Sequence, residues 1–120
     1  MCIRDREDII EAGCARVLTS GGAASAPEGA DAIAALVKQA AGRIIIMPGA
    51  GVTPENVADL ARKTGAREFH FSGRTAEPSP MRYRHEGVSM GGTVTIDEYA
   101  YLFTDPKKIR QAVEALQALE

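Results

Sequence analysis

The chain repeats one pattern three times: a short apolar segment, a turn rich in glycine or serine, and a stretch that can form a helix. The apolar segments lie at 15–20, 43–48 and 67–72, and helical spacing follows within 27–42, within 53–65 and after 104. The middle segment is apolar on both faces, which is typical of a buried parallel strand. Such alternation predicts an α/β fold with a parallel sheet and right-handed crossovers.

Three parallel strands cannot close a barrel, and an open sheet of this size leaves one face uncovered. The pattern therefore favours part of a larger sheet. A small flavodoxin-like sheet is the alternative, but it needs about five strands. Residues 1–10 differ from the pattern that follows, and we interpret them as the remnant of a helix or as a non-native extension.

The composition of the chain indicates which partners and which cellular compartment to expect. The 120 residues are 45% hydrophobic and 25% charged, with a net charge of -2 and no basic stripe, so nucleic acid is not an expected partner. No apolar run is long enough to cross a bilayer, so no membrane partner is expected either. Two cysteines without a signal peptide favour a cytoplasmic location. We expect Cys14 to be a small buried apolar residue.

The turns after Ser20, Pro48 and Ser72 are the predicted ligand-facing loops, because parallel βα folds bind ligands at the carboxyl ends of their strands. Glycines before a helix can present backbone N–H groups to an anion, and arginines can hold an acidic group through two bonds. The alternative is that the glycines only permit tight turns. The predicted anion-binding residues are Ser20, Gly21, Gly49, Gly51, Ser72, Arg74 and Arg82.

Residues alternate along the third apolar segment. Phe69 and Phe71 share one face, which we expect to pack under the helices. Glu68, His70 and Ser72 share the other face, where polar groups need partners. His70 is predicted either to contact a ligand or to be satisfied by neighbouring polar groups.

Residues 73–95 show no sustained periodicity and are predicted to form a long loop. Thioether and imidazole groups suit Cu(I), which prefers soft ligands. The candidate metal ligands are therefore His70, Met81 and Met90. Met81, His85 and Met90 do not have the spacing of a compact metal motif, so a solvated loop remains the alternative.

A binding role is expected over catalysis, because no nucleophile with an evident neighbouring base emerges from the sequence. The alternative is a barrel enzyme, or a binder, of a phosphorylated or carboxylated small metabolite. The glycine turn at 49–51 together with Ser72 and Arg74 motivates that alternative.

Five motifs in order resemble those of the CutC family. They are RVLTSGG at 16–22, IMPGAGV at 46–52 with Asn56, the set Glu68, His70, Ser72 and Arg74, SPMRYR at 79–84, and VSMGG at 88–92. Ala50 stands where that family frequently has glycine.

The resemblance implies a TIM-like (β/α)8 barrel of roughly twice this length, with residues 11–120 forming its last three βα units and a C-terminal helix. It also implies a cytosolic copper homeostasis protein that binds or traffics copper as Cu(I). The expected partner is a copper ion or a small anionic ligand, and self-association into a homo-oligomer is left open.

Overall fold

A computed structural model describes residues 3–87 and 97–120 of the protein. The helices and strands follow one another as α1 (Ile3–Glu11), β1 (Arg16–Thr19), α2 (Ala30–Ala40), β2 (Ile45–Pro48), α3 (Val57–Thr64), β3 (Arg74–Pro78), β4 (Ala100–Thr104) and α4 (Pro106–Gln117). The predicted α/β class is confirmed. Within the described residues, no helix combines the length and the apolar character that crossing a membrane requires.

Strands β1 and β2 form a parallel pair, with Val17 opposite Ile46 and Thr19 opposite Pro48. The predicted third strand at 67–72 is wrong as a regular element, because this segment forms no continuous ladder. It nevertheless runs beside β2, since the His70 N–H donates to the Pro48 carbonyl at 2.9 Å. These small sheets do not close a barrel, and the partial barrel remains a prediction.

The core lies between this parallel pair and the helices. Ile33 of α2 and Val57 of α3 are fully buried, and Ile46 of β2 is nearly so. Phe69 and Phe71 pack against this cluster, as their alternation predicted. The sheet therefore buries one face under α2 and α3 and leaves the opposite face open to solvent.

Capping residues and a glycine define the ends of α3 and the start of α4. Asp105 caps α4: its carboxylate accepts a bond from the Lys107 N–H at 2.8 Å, and Pro106 occupies the first position of the helix. Thr53 does not cap α3, because the helix begins after Asn56. Gly65 ends α3 in the left-handed conformation with φ of 73°, as expected for a glycine stop.

Part of the predicted long loop is instead β-structure. β3 pairs antiparallel with β4, with Arg74 opposite Thr104 and Pro78 opposite Ala100. The hairpin makes the molecule elongated: its radius of gyration is 18.1 Å, whereas a compact domain of this length has about 14 Å. The prediction for Met90 lies outside the described residues.

Cys14 is exposed, so the prediction that it is a buried apolar residue is wrong. It lies in the turn between α1 and β1, next to Gly13 with φ of 80°. Gly13 allows a tight turn, and turns of this kind lie at the protein surface, so Cys14 beside it is exposed as well.

Candidate functional site

The three predicted ligand-facing turns meet at one edge of the sheet. The Gly49 N–H donates to the Thr19 carbonyl at 3.0 Å, and the His70 N–H donates to the Pro48 carbonyl. In a parallel ladder these bonds place Ser20, Gly49 and His70 side by side on one face. A Cβ atom at Gly49 would lie 3.4 Å from the His70 Cβ, which agrees with that register.

The turn after β1 is held by its own bonds. The Ser20 hydroxyl donates to the Ala23 carbonyl at 2.7 Å, and the Gly21 N–H donates to the Thr19 hydroxyl at 3.0 Å. A Cβ atom at Gly21 would lie 2.4 Å from the Gly29 carbonyl oxygen. These contacts give Ser20 and Gly21 a role in the turn, while their predicted role toward an anion stays a prediction.

The turn after β2 is closed by Asn56. Its side-chain oxygen accepts from the Thr53 N–H at 2.8 Å, and its side-chain amide donates to the Gly51 carbonyl at 2.8 Å. Gly51 has φ of 70°, and Ala50 has φ of 71°, a conformation that glycine adopts more easily. Alanine at position 50 therefore carries the strain of a left-handed residue, which glycine would avoid.

The turn at 72–74 opens on a cleft of about 180 Å³. Ser72, Gly73 and Arg74 form one wall, Thr53 and Glu55 form the wall before α3, and Lys108 of α4 completes the rim. The Asp105 N–H donates to the Gly73 carbonyl at 2.9 Å, which fixes α4 against this turn. Two of the predicted anion-binding residues, Ser72 and Arg74, thus share a cleft with a lysine that the sequence did not single out.

The open face of the sheet carries a different set of groups. His70 is exposed at the carboxyl edge, and Met47 lies on the same face one layer below. Strand spacing and rise place the Cα atoms of Met47 and His70 about 8 Å apart. Leu18, half exposed, lies over Gly49 beside them.

An ion pair crosses the same face. The Arg16 guanidinium donates two bonds to the Glu68 carboxylate, at 2.6 and 3.1 Å. These hydrogen bonds, with the charge of Arg16 adding to them and burial opposing them, hold the pKa of Glu68 below its ordinary value. The pair joins the third segment, which carries His70, to β1 across β2.

Acid titration tests this ion pair. Because the pKa of folded Glu68 is lowered, the stability it contributes is present above the pKa of an unfolded glutamate, about 4.3, and is lost as the pH falls through the folded value. We expect Glu68→Gln to lose less thermal stability than the wild type between pH 6 and pH 3. The difference is small, since both partners are partly exposed.

Melting curves at each pH give the measurement, and Glu114→Gln on the exposed side of α4 is the matched control. Identical acid sensitivity in Glu68→Gln and the wild type would contradict the pairing.

The remaining predicted metal ligands lie elsewhere. Met81 is 56% exposed and follows the far end of β3, a strand of about 17 Å in length. The structure therefore does not bring Met81 to His70. Arg82 is exposed in the same segment, where Arg84 donates to the Ser79 carbonyl at 3.3 Å and stacks on Tyr99 at 4.5 Å.

In the described part of the chain, no three His, Cys, Asp or Glu side chains lie together in a way that could hold a metal ion. The sequence did not identify two residues of these sites, Met47 and Lys108. Met47 was assigned only to a buried strand, although its alternation with Ile46 placed it on the face of His70. Lys108 carried no local signal, because only the packing of α4 brings it to the cleft.

Known proteins resemble this chain over most of its length. The profile of the CutC family matches residues 3–75. A relative from Chromobacterium violaceum, named family protein CutC, is 54% identical over 110 residues, which cover 92% of this chain and 44% of that protein. A relative of the same name from Bacteroides thetaiotaomicron is 47% identical over 112 residues, 93% of this chain and 45% of its own length.

A solved structure adds the fold. It is a Streptococcus agalactiae protein provisionally named copper homeostasis protein CutC, with a TM-score of 0.53 and 33% identity over 56% of this chain and 33% of its own. The present chain thus spans less than half of the length of the relatives it matches. The resemblance noted in the sequence motifs is confirmed, and the chain belongs to the CutC family.

Proposed function

We propose that this chain serves copper homeostasis in the cytoplasm by binding copper as Cu(I). Membership of the CutC family supports the general role, and the name of the Streptococcus agalactiae relative connects that family with copper homeostasis. We also propose that the chain is part of a larger (β/α) barrel, in which residues 11–120 supply the last three βα units.

The observation that carries a residue-level proposal is the pairing of an imidazole with a thioether on one open sheet face. His70 and Met47 are both soft ligands of the type that selects Cu(I). Imidazole and thioether groups suit Cu(I), whereas Mg²⁺ and Ca²⁺ take oxygen ligands, so this pair favours the soft cation. Met81 and Met90 remain predicted ligands, and the structure offers no contact between Met81 and His70.

Anaerobic titration against a chromophoric Cu(I) chelator tests the proposal. We expect His70→Ala to weaken Cu(I) binding by about tenfold or more, equivalent to about 1.4 kcal/mol, and Met47→Leu to weaken it as well. His85→Ala removes the other histidine, which lies in the exposed segment after β3, and should leave the affinity unchanged.

We expect the wild-type protein to compete with the chelator for Cu(I). If it does not, or if His85→Ala and His70→Ala weaken binding equally, copper binding at the open face is wrong.

A further inference from the structure

The cleft beside α4 is separate from the open sheet face and has the features of an anion site. Its walls come from three parts of the chain: the turn before α3, the turn at 72–74 and the first turns of α4. Pockets for drug-sized ligands occupy about 300–1,000 Å³, whereas this cleft has about 180 Å³. It therefore suits a small group.

A carboxylate of the protein already uses some of the donors at this rim. The pKa of Glu55 lies below its ordinary value, because its carboxylate accepts hydrogen bonds from its own backbone N–H and from the Thr53 hydroxyl, and because Lys108 lies nearby. Glu55 and Lys108 thus line the same cleft with opposite charges.

Two cations and a hydroxyl group remain for an external ligand. The Lys108 ammonium donates one bond, to the Arg74 carbonyl at 2.6 Å, and an ammonium group has three N–H donors. The Arg74 guanidinium forms no salt bridge with any acid among the described residues. Ser72 is exposed on the same wall of the cleft. The Thr104 hydroxyl donates to the Ser72 carbonyl and does not use the Ser72 hydroxyl.

We infer that this cleft binds a phosphate dianion, as inorganic phosphate or as the phosphate group of a small monoester, between Arg74, Lys108 and the Ser72 hydroxyl. Arginine and lysine supply the charge that a dianion requires, and the arginine fork can hold two phosphate oxygens. Glu55 lies at the edge of the same cleft, and its negative charge weakens the binding of any external anion. The site stands independently of copper binding, which concerns His70 and Met47 on the open sheet face.

Amide NMR titration of the full chain, at pH 7.5 and constant ionic strength, tests the inference. Inorganic phosphate and phenyl phosphate are the two probes, and acetate and chloride are the comparison anions. We expect phosphate to shift the amides of Thr53, Gly73 and Lys108, and the ester to match it if the cleft accepts monoesters. Shifts with phosphate alone would identify the free anion as the ligand.

Matched variants locate the site. Lys108→Met and Arg74→Gln should each raise the phosphate Kd by about tenfold, whereas Lys107→Met and Arg110→Gln, both exposed on α4, should leave it unchanged. Glu55→Gln should lower the Kd. Arg74 is exposed, so its variant tests the site even if Lys108→Met disturbs packing.

Equal loss in the control variants would overturn the inference, as would shifts of the same amides by acetate or chloride at equal concentration. Failure here would leave copper binding untouched, because that proposal is tested with a different ligand and different variants.

Discussion

Replacing Ile33 with alanine is expected to destabilise the protein by about 2–5 kcal/mol, the range for removing a buried aliphatic side chain. Ile33 is 0% exposed in α2 and belongs to the core that α2 and α3 form over the sheet. A cavity there removes contacts that hold both helices to the strands. Because whole domains are stable by only about 5–15 kcal/mol, a loss of this size removes a large part of the free energy of unfolding.

Urea denaturation followed by circular dichroism measures this loss. Ile33→Val keeps most of the volume and should cost about 0.5–1.5 kcal/mol. Val113→Ala, at a position 46% exposed on α4, should change stability by about 0.5 kcal/mol or less. Equal effects of Ile33→Ala and Val113→Ala would mean that α2 does not pack as described.

Gly29→Ala is expected to have the second largest effect, about 3 kcal/mol of destabilisation from overpacking. A Cβ atom at position 29 would lie 1.9 Å from the Ser20 carbonyl oxygen, which belongs to the backbone and cannot rotate away. The φ of Gly29 is -88°, which any residue can adopt, so the cost arises from space rather than from conformation. The substitution pushes the turn after β1 away from the start of α2.

Gly22→Ala separates space from conformation. Gly22 has φ of 79°, and a Cβ atom added there would meet nothing within 4 Å. Alanine at this position therefore costs only the strain of a left-handed residue, about 1–2 kcal/mol. Denaturation of the two variants should rank Gly29→Ala as the less stable. The reverse order would contradict the close contact between the turn and α2.

Local periodicity predicted the parts of the fold that local chemistry decides. Alternation separated Phe69 and Phe71 from His70, since a strand buries alternate residues whether or not its ladder is regular. α4 begins at Asp105 because its side chain accepts a hydrogen bond from the Lys107 N–H. α3 ends at Gly65 because this residue adopts the left-handed conformation, in which its N–H donates to the Ala61 carbonyl. The start of α3 was less clear from local chemistry: the Thr53 N–H donates to the Asn56 side chain within the turn, and the helix begins after Asn56.

The hairpin escaped prediction for a physical reason. The β3 sequence contains Ala76, Glu77 and Pro78, which are poor strand residues, and its partner β4 lies more than twenty residues later in the chain. Pairing at that separation overrides local preference. The same limit hid Lys108, because a helix far along the chain places it beside Ser72 and Arg74. A cleft assembled from three separate segments leaves no motif with fixed spacing.

X-ray absorption at the copper edge, on the full chain loaded with one equivalent of Cu(I), tests the copper proposal most directly. The soft pair on the open face predicts a mixed shell with a nitrogen scatterer from His70 and a sulfur scatterer from Met47. Met47→Leu should remove the sulfur contribution of Met47, and His85→Ala should leave the shell unchanged. A shell of light atoms alone, unaltered by Met47→Leu, would contradict the account.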